Sequence, residues 1–529
     1  MRNLYQKISQ VLETTVKKEF SLTPPCPLWE IPKDEKFGDF SSMIALKLFH
    51  NQKDEVLKAA KRFKKALEKE LNLEIKKIEV VNPGFINVFF SLSALRDSLK
   101  KLLQEKENFF KVKRERKVLI EFVSANPTGP LSIAHGRQAV VGDVLANVCE
   151  FFGNKVEREY YINDEGNQIV LLLKSVERQI RKIKGEEVSS LPEGYQGDYI
   201  EEIAKKIVKQ NPPDIKTFTL DYILNLIKKD LSSLEIKFTH WVSQRELMEL
   251  GKVEEVIQFL RGKGKTYEKE GAIWFASTLW GDDKDRVLRK EDTQFTYFAC
   301  DIAYHRNKLE RGFDKLINLW GPDHHGYIPR LKAAIKALGN KEDVLDIIII
   351  QIVKLKSKRK MSKRKGTAIL LSDLIEKVGK DAARFYYLTR RNSSPLEFDL
   401  DLAIKSSFDN PLYYIQYAHA RICSIFRKAG IEKIEFEEDG DWKKEEISLL
   451  RKLFQFSYWL DRVYYSLEPV FLIEFLKNVA TFFHKFYENV PVLCQDRKIR
   501  LRRLSLCEGV RIVLACGLNL LGIKPLSKM

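Results

Sequence analysis

The sequence predicts an α/β protein: a doubly wound parallel sheet with a helical insertion, preceded by a small α/β domain and followed by an all-α bundle. Three observations carry this. Apolar runs and helical patterns alternate on either side of a long break between residues 118 and 353. The break, from about 170 to 240, is charged and mostly helical in period. From about Phe398 onward the pattern is almost entirely helical. A chain of 529 residues has room for three or four domains at ~100–200 residues each. The expected boundaries are 1–92, 93–395 and 396–529.

In the first domain, Leu4, Ile8, Leu12 and Val16 repeat at helical spacing. Phe40–Leu48 and Val56–Leu71 read as amphipathic helices. Ile78–Phe90 reads as two strands around the turn Asn82-Pro83-Gly84. A charged helix follows from Leu92 to about Lys111. VLIEFV (118–123) is the continuous apolar run of a strand buried on both faces. A proline-rich turn follows, then a helix from about His135 to Phe152, which Gly153-Asn154 stops. VEREYYI (156–162) alternates as a strand. After the insertion, the strand–helix rhythm is expected to resume near Trp274. KLINLW (315–320) and DIIIIQIV (346–353) read as further strands of the sheet.

The formal net charge is +18. Such an excess suits a polyanionic partner, since basic side chains release condensed counterions on binding. It equally suits a Lys-rich surface tuned for solubility. Seven cysteines, with no C-x-x-C pair, argue against a disulfide framework and a structural zinc site and fit a reducing cytosol. The first residues lack a signal-peptide core, and no stretch approaches ~18 apolar residues, so no membrane span is expected.

Two clusters carry chemistry. EFVSANPTGPLSIAHGRQAVVGD (121–143) lies where the first strand of the sheet turns into a helix. Ligands of open parallel sheets bind beyond such strand ends, and a helix N-terminus offers free N–H groups to phosphate. His135 would stand there. KLKSKRKMSKRKGTAILL (354–371) holds eight basic residues between Lys354 and Lys365 and no acid. A loop of this kind can gather round a triphosphate and neutralise departing pyrophosphate. Alone, it would read as a patch for RNA. The strand before it and the punctuation by Ser362 and Gly366 favour the catalytic reading.

The two clusters resemble the HIGH and KMSKS signatures of class I aminoacyl-tRNA synthetases. The second reads Lys360-Met361-Ser362-Lys363-Arg364. The sequence is similar to the arginyl branch in particular. REYYINDEGNQI (158–169), GDDKDRVL (281–288), the segment 301–334 and DAARFYYLTR (381–390) carry this across the middle of the chain. NPLYYIQYAHARI (410–422) and FHKFYENVPVL (483–493) carry it at the end. FGDFSSMIALKL (37–48) and VVNPGFINVFF (80–90) carry it at the front. The resemblance spans essentially the whole chain. It implies a class I Rossmann-type catalytic domain flanked by two tRNA-binding domains, and a reaction that joins L-arginine to tRNA(Arg).

The resemblance also implies roles. Lys360, Lys363, His135 and Ser132 would act on the phosphates of ATP. Ala134, Gly136, Met361 and Ser362 would complete the ATP site, with Mg2+ bridging the phosphates. One difference from the family pattern stands out: its His-x-Gly-His begins here with Ser132 and carries Ala134 in place of glycine. Losing one transition-state donor typically costs ~3 kcal/mol, which the rest of the site must offset or the rate must bear. Guanidinium is planar and always charged, so it calls for carboxylates. Tyr297 and Asp301, four apart, would share a helix face toward it. Glu121, Ser124 and Asn126 are assigned to the polar groups of the amino acid. His324, beside His325, lines the pocket or caps a helix. Tyr413, Tyr414 and the tract Arg497–Arg503 are candidates for anticodon contacts, although the tyrosines suit a bundle core equally. The expected protein is a cytoplasmic monomer without membrane attachment.

The rivals are a class I enzyme for another amino acid, a related RNA-binding protein without catalysis, and a Rossmann nucleotide enzyme unrelated to tRNA. The last lacks a G-x-G-x-x-G turn here.

Overall fold

The computed structural model describes residues 3–25, 27–50, 52–356, 369–431, 435–437 and 440–529. Lys360, Met361, Ser362 and Lys363 fall outside the described residues. The contacts divide the chain into two compact units, Lys113–Ile404 and Met1–Val112 with Lys405–Met529.

The first of these is built on five parallel strands: β1 Lys117–Glu121, β2 Lys155–Ile162, β3 His240–Ser243, β4 Lys315–Trp320 and β5 Leu345–Ile349. Their order is β5-β4-β1-β2-β3. β1 is central, pairing with β2 from Lys117↔Lys155 and with β4 from Val118↔Lys315. Its last four residues are buried, as the apolar run requires. Helix α1, Ile133–Phe151, returns across the sheet. Gly142 lets it lie close to β1: a Cβ there would stand 2.3 Å from the Phe122 ring. The insertion between β2 and β3 is three helices, α2 Asn167–Ile183, α3 Asp198–Gln210 and α4 Ile215–Ser233.

The structure differs from expectation at three points in this unit. The sheet resumes at β3, well before Trp274. This strand is four residues long and only half-buried, so it lacks the apolar run that marks β1. Trp274 belongs instead to a separate antiparallel sheet of Thr266–Lys269, Ala272–Phe275 and Arg286–Arg289. DIIIIQIV is two strands. β5 ends at Ile349, and Val353–Lys356 pairs with Leu396–Asp399 in another sheet. Between them, the Gln351 carbonyl accepts from Arg137 Nη1 at 3.1 Å, and its N–H donates to Asn392 at 2.9 Å. The buried Arg137 of α1 thereby bends the chain out of the sheet.

In the other unit, the N-terminal residues form the helices Leu4–Phe20, Ile44–Phe49 and Lys53–Glu70 around an antiparallel sheet. Phe40–Ser42, expected to begin a helix, is a strand of that sheet, paired to Ile86–Val88. Its alternating burial and three-residue length left no helical or strand period to read. The helix Leu92–Glu105 packs here, Leu99 standing 2.8 Å from where a Cβ on Gly509 would lie. Helices Pro411–Ala429, Lys444–Phe454, Phe456–Ser466, Val470–Asn489 and Arg497–Leu520 form the C-terminal bundle. Arg502 and Arg503, named above as RNA contacts, are buried. Arg502 Nη2 lies 3.3 Å and Arg503 Nε 3.1 Å from the carboxylate of Glu446, so both guanidiniums are used inside the bundle. Tyr413 and Tyr414 are half-buried rather than core.

Candidate active site

The strand order reverses between β1 and β4, which opens a crevice beyond their carboxyl ends. The chain leaves β1 through Val123 at φ 68 and Ser124 at φ 39, both left-handed. For a β-branched valine that is a strained conformation, and such strain concentrates at functional sites. Ser124 Oγ donates to Glu121 Oε1 at 3.0 Å and accepts from the Tyr161 N–H at 3.1 Å, which holds the turn. The loop then enters α1 at Ser132, its N-cap.

His135 sits in the first turn of α1. Its Nδ1 accepts from the Ser132 N–H at 3.2 Å, with Ser132 Oγ at 3.3 Å. A backbone N–H can only donate, so the proton of the neutral ring is on Nε2. Burial lowers the His135 pKa, which keeps the ring neutral and Nε2 a donor. Gly136 faces Leu371 and Tyr387: a Cβ would lie 2.5 Å from Leu371 Cδ1 and 2.6 Å from the Tyr387 hydroxyl. Ala134, two residues earlier, is half-buried.

The basic signature lies between described segments that are both anchored. Before it, Val353–Lys356 pairs with Leu396–Asp399. After it, Ile369–Leu371 runs antiparallel to Leu131–Ile133. The Ile133 N–H donates to Ile369 O at 3.1 Å, and the Leu371 N–H to Leu131 O at 2.8 Å. The chain therefore resumes from the second signature directly against the first.

The other wall is helix α5, Tyr297–Glu310, capped by Thr296. Tyr297 is 54% exposed, with its hydroxyl 2.2 Å from where a Cβ on Gly166 would stand. Asp301, one turn on, is half-buried, and accepts from the Tyr327 hydroxyl at 2.5 Å. Desolvation pushes its carboxyl up to about 7. The Tyr327 bond opposes that shift, Glu121 adds to it and Lys308 opposes it. Among the described residues no cation forms an ion pair with Asp301. Two turns further, the fully buried Lys308 places Nζ 2.6 Å from Glu121 Oε2 and 3.3 Å from Asn318 Oδ1. His305 donates from Nδ1 to the Asp301 carbonyl (2.8 Å) and accepts from Asn318 Nδ2 (2.8 Å).

The structure thus brings Glu121, Ser124 and Asp301 into one polar cluster at the ends of β1 and β4. It adds Lys308 and Tyr327, which sequence reasoning missed. Lys308 is seven residues from Asp301, on the same helix face, and that spacing was the available signal. Asn126 lies at the rim, its Nδ2 donating to Gln168 Oε1 at 2.6 Å. His324 is exposed on the short turn Pro322–Tyr327, with Nε2 3.3 Å from Asp323 Oδ2. Among the described residues no group of three His, Cys, Asp or Glu side chains could hold a metal.

A parallel sheet ending in a neutral histidine at a helix N-terminus, with an unpaired carboxylate across the crevice, has the organisation of a class I aminoacyl-tRNA synthetase. The fold agrees with the solved arginyl-tRNA synthetase of Thermus thermophilus: the TM-score is 0.80 over 99% of this chain and 100% of that one, at 20% identity. Family models match three segments: the arginyl tRNA synthetase N-terminal domain over residues 2–90, the class I (R) tRNA synthetase catalytic domain over 98–394 and the DALR anticodon-binding domain over 415–529. The arginine–tRNA ligase of Aquifex aeolicus is 40% identical over 94% of this chain and 96% of its own. That of Oleidesulfovibrio alaskensis is 41% identical over 94% and 95%. The chain belongs to the arginyl-tRNA synthetases. It uses ATP to attach L-arginine to tRNA(Arg) through arginyl-adenylate, releasing AMP and pyrophosphate. None of the helices among the described residues is long and apolar enough to cross a membrane.

Proposed function

We propose that ATP lies between the two signatures and arginine between β1 and α5. In this reading the arginine carboxylate attacks the α-phosphate, and pyrophosphate leaves. The terminal ribose hydroxyl of tRNA(Arg) then attacks the adenylate carbonyl, and AMP leaves. His135 Nε2–H and the Ser132 hydroxyl donate to the phosphates at the N-terminus of α1, where the helix dipole favours an anion. Lys360 and Lys363 neutralise the departing pyrophosphate, with Met361 and Ser362 shaping that loop. Little proton transfer is needed; positioning and charge lower the barrier.

Asp301 takes the guanidinium, and Tyr297 covers it. Glu121, already paired with Lys308, acts with Ser124 and Asn126 toward the amino acid's other polar groups. His324 lines the exposed side. Mg2+ bound to the ATP phosphates would supply charge neutralisation. The donor set suits that arrangement, because magnesium is commonly held by phosphates and water rather than by a protein cage. The C-terminal bundle, through Tyr413 and Tyr414, takes the anticodon, and the N-terminal domain the tRNA elbow. The protein works as a cytoplasmic monomer.

The observation that carries the site reading is the backbone pairing of Leu131–Ile133 with Ile369–Leu371, which brings the chain resuming after the second signature against the start of the first. The test is ATP–pyrophosphate exchange with each amino acid, with and without tRNA(Arg), in the native protein and in His135→Ala, Lys363→Ala and Asp301→Ala. Exchange with arginine alone, lost in all three variants while tRNA binding persists, is the expected result. Native exchange rates in His135→Ala and Lys363→Ala would remove the signatures from the site.

A further inference from the structure

All three insertion helices touch one short stretch, Asn126–Leu131, that leads into α1. On α2, Gln168 Oε1 accepts from Asn126 at 2.6 Å. On α3, the Tyr199 hydroxyl donates to the Thr128 carbonyl at 2.8 Å. The same ring lies 3.2 Å from where a Cβ on Gly129 would stand. On α4, Asp230 Oδ2 accepts from the Leu131 N–H at 3.3 Å. The carbonyl of Leu131 accepts from the Leu371 N–H at 2.8 Å. One residue thus joins the insertion, the start of the first signature and the chain resuming after the second.

Asp230 is badly placed for a local role. It sits in the last turn of α4, where the helix dipole disfavours an anion. It is also buried. Desolvation pushes its carboxyl up to about 6, opposed by the Leu131 bond and Lys229 and reinforced by Asp373 on helix α6, Leu371–Val378. A buried acid that breaks the helix rules marks a position held for something other than helix stability. Tyr199 is half-buried, and its hydroxyl proton is spent on a loop carbonyl rather than on water.

We propose that Asp230 is a positioning residue for the nucleotide site: it fixes Leu131, and through it sets the two signatures relative to each other, with Tyr199 as a second anchor on the same loop. The helical insertion is then part of the ATP-binding machinery rather than an appendage. The inference rests on the reading that the two signatures hold ATP.

The test is ATP–pyrophosphate exchange by the full chain with tRNA(Arg) present, reading kcat and the KM for ATP and for arginine separately. In Asp230→Ala, kcat/KM for ATP falls about tenfold or more, since small misplacement of reacting groups is costly. The KM for arginine stays within about twofold. Asp230→Asn keeps an acceptor oxygen and recovers most of the loss. Tyr199→Phe deletes one hydroxyl, keeps the ring, and lowers the same parameter by several-fold.

Native ATP parameters in Asp230→Ala would overturn the proposal. A parallel rise of both KM values would do the same, because that is what general loosening gives. Should Asp230→Ala fail to fold, Tyr199→Phe decides: no change in its ATP parameters overturns the proposal, and a selective loss supports it. His135→Ala in the same assay separates the two levels. No loss there faults the ATP-site reading itself. Loss there, with none in Asp230→Ala or Tyr199→Phe, faults only the positioning role.

Discussion

Two carboxylates held inside this protein meet opposite surroundings. Glu446, in the C-terminal bundle, is fully buried and saturated: Arg502, Arg503 and the Lys443 N–H all reach it, the last at 2.7 Å. Asp301, on α5, has one hydroxyl donor and, among the described residues, no cation, and its carboxyl is raised to about 7. Its neighbour Glu121 stands between the two, with one donor on each oxygen, Ser124 and Lys308. A closed ion cluster is scaffold, because every lone pair already has a donor. An open one beside a crevice can take a charged ligand, and in the proposed reading arginine is that cation.

That contrast can be broken by removing each carboxylate in turn. Glu446→Ala leaves two buried guanidiniums without their partner. It should lower stability by about 3–5 kcal/mol, read from denaturant or thermal unfolding. The arginine KM of the protein that remains folded should be native. Asp301→Ala should do the reverse. We expect kcat/KM for arginine to fall about a hundredfold or more, as when a desolvated charge partner is truncated, with an unfolding midpoint close to native. An Asp301→Ala protein that unfolds easily yet binds arginine normally would place this residue with the scaffold.

Much of this was legible beforehand, and what was not has physical causes. β1 and β4 announce themselves because strands buried on both faces are continuous apolar runs. β3 does not, being short and half-buried at the sheet edge. That Tyr297 and Asp301 stand one turn apart on one helix was legible from their spacing. The Lys308–Glu121 pair was not, since it joins residues 187 apart in sequence, and no local period encodes it. Within the Arg497–Arg503 tract, Arg502 and Arg503 misled for a similar reason. Charge alone does not tell a solvated face from a guanidinium that has found a buried carboxylate such as Glu446. The basic signature was read from sequence alone.

The raised carboxyl gives the comparison a second edge. Only the anion of Asp301 pairs with guanidinium, and the group loses its proton as pH rises through about 7. With Asp301 as the guanidinium partner, kcat/KM for arginine should climb up to tenfold per pH unit below that value and level off above it. The same profile in Asp301→Asn should lose this limb. A native profile flat from pH 6 to 8 would mean that the carboxyl is already ionised, and that Asp301 is less isolated than its contacts imply.

The smallest expected effect is the most discriminating. Tyr327→Phe removes the one hydroxyl bound to Asp301 and keeps the ring packed against Phe298 and Trp320. A hydrogen bond to a charged group contributes about 1.5–3 kcal/mol, part of which arginine itself replaces when it binds. The Tyr327 bond holds the Asp301 pKa down against desolvation, so its loss should move the midpoint of the pH profile upward from about 7. At a pH high enough to ionise Asp301 in both proteins, any remaining deficit reports orientation of the carboxylate alone. A midpoint that does not move would show that Tyr327 only fills space, and that the open carboxylate owes its state to burial and to Glu121 rather than to its single donor.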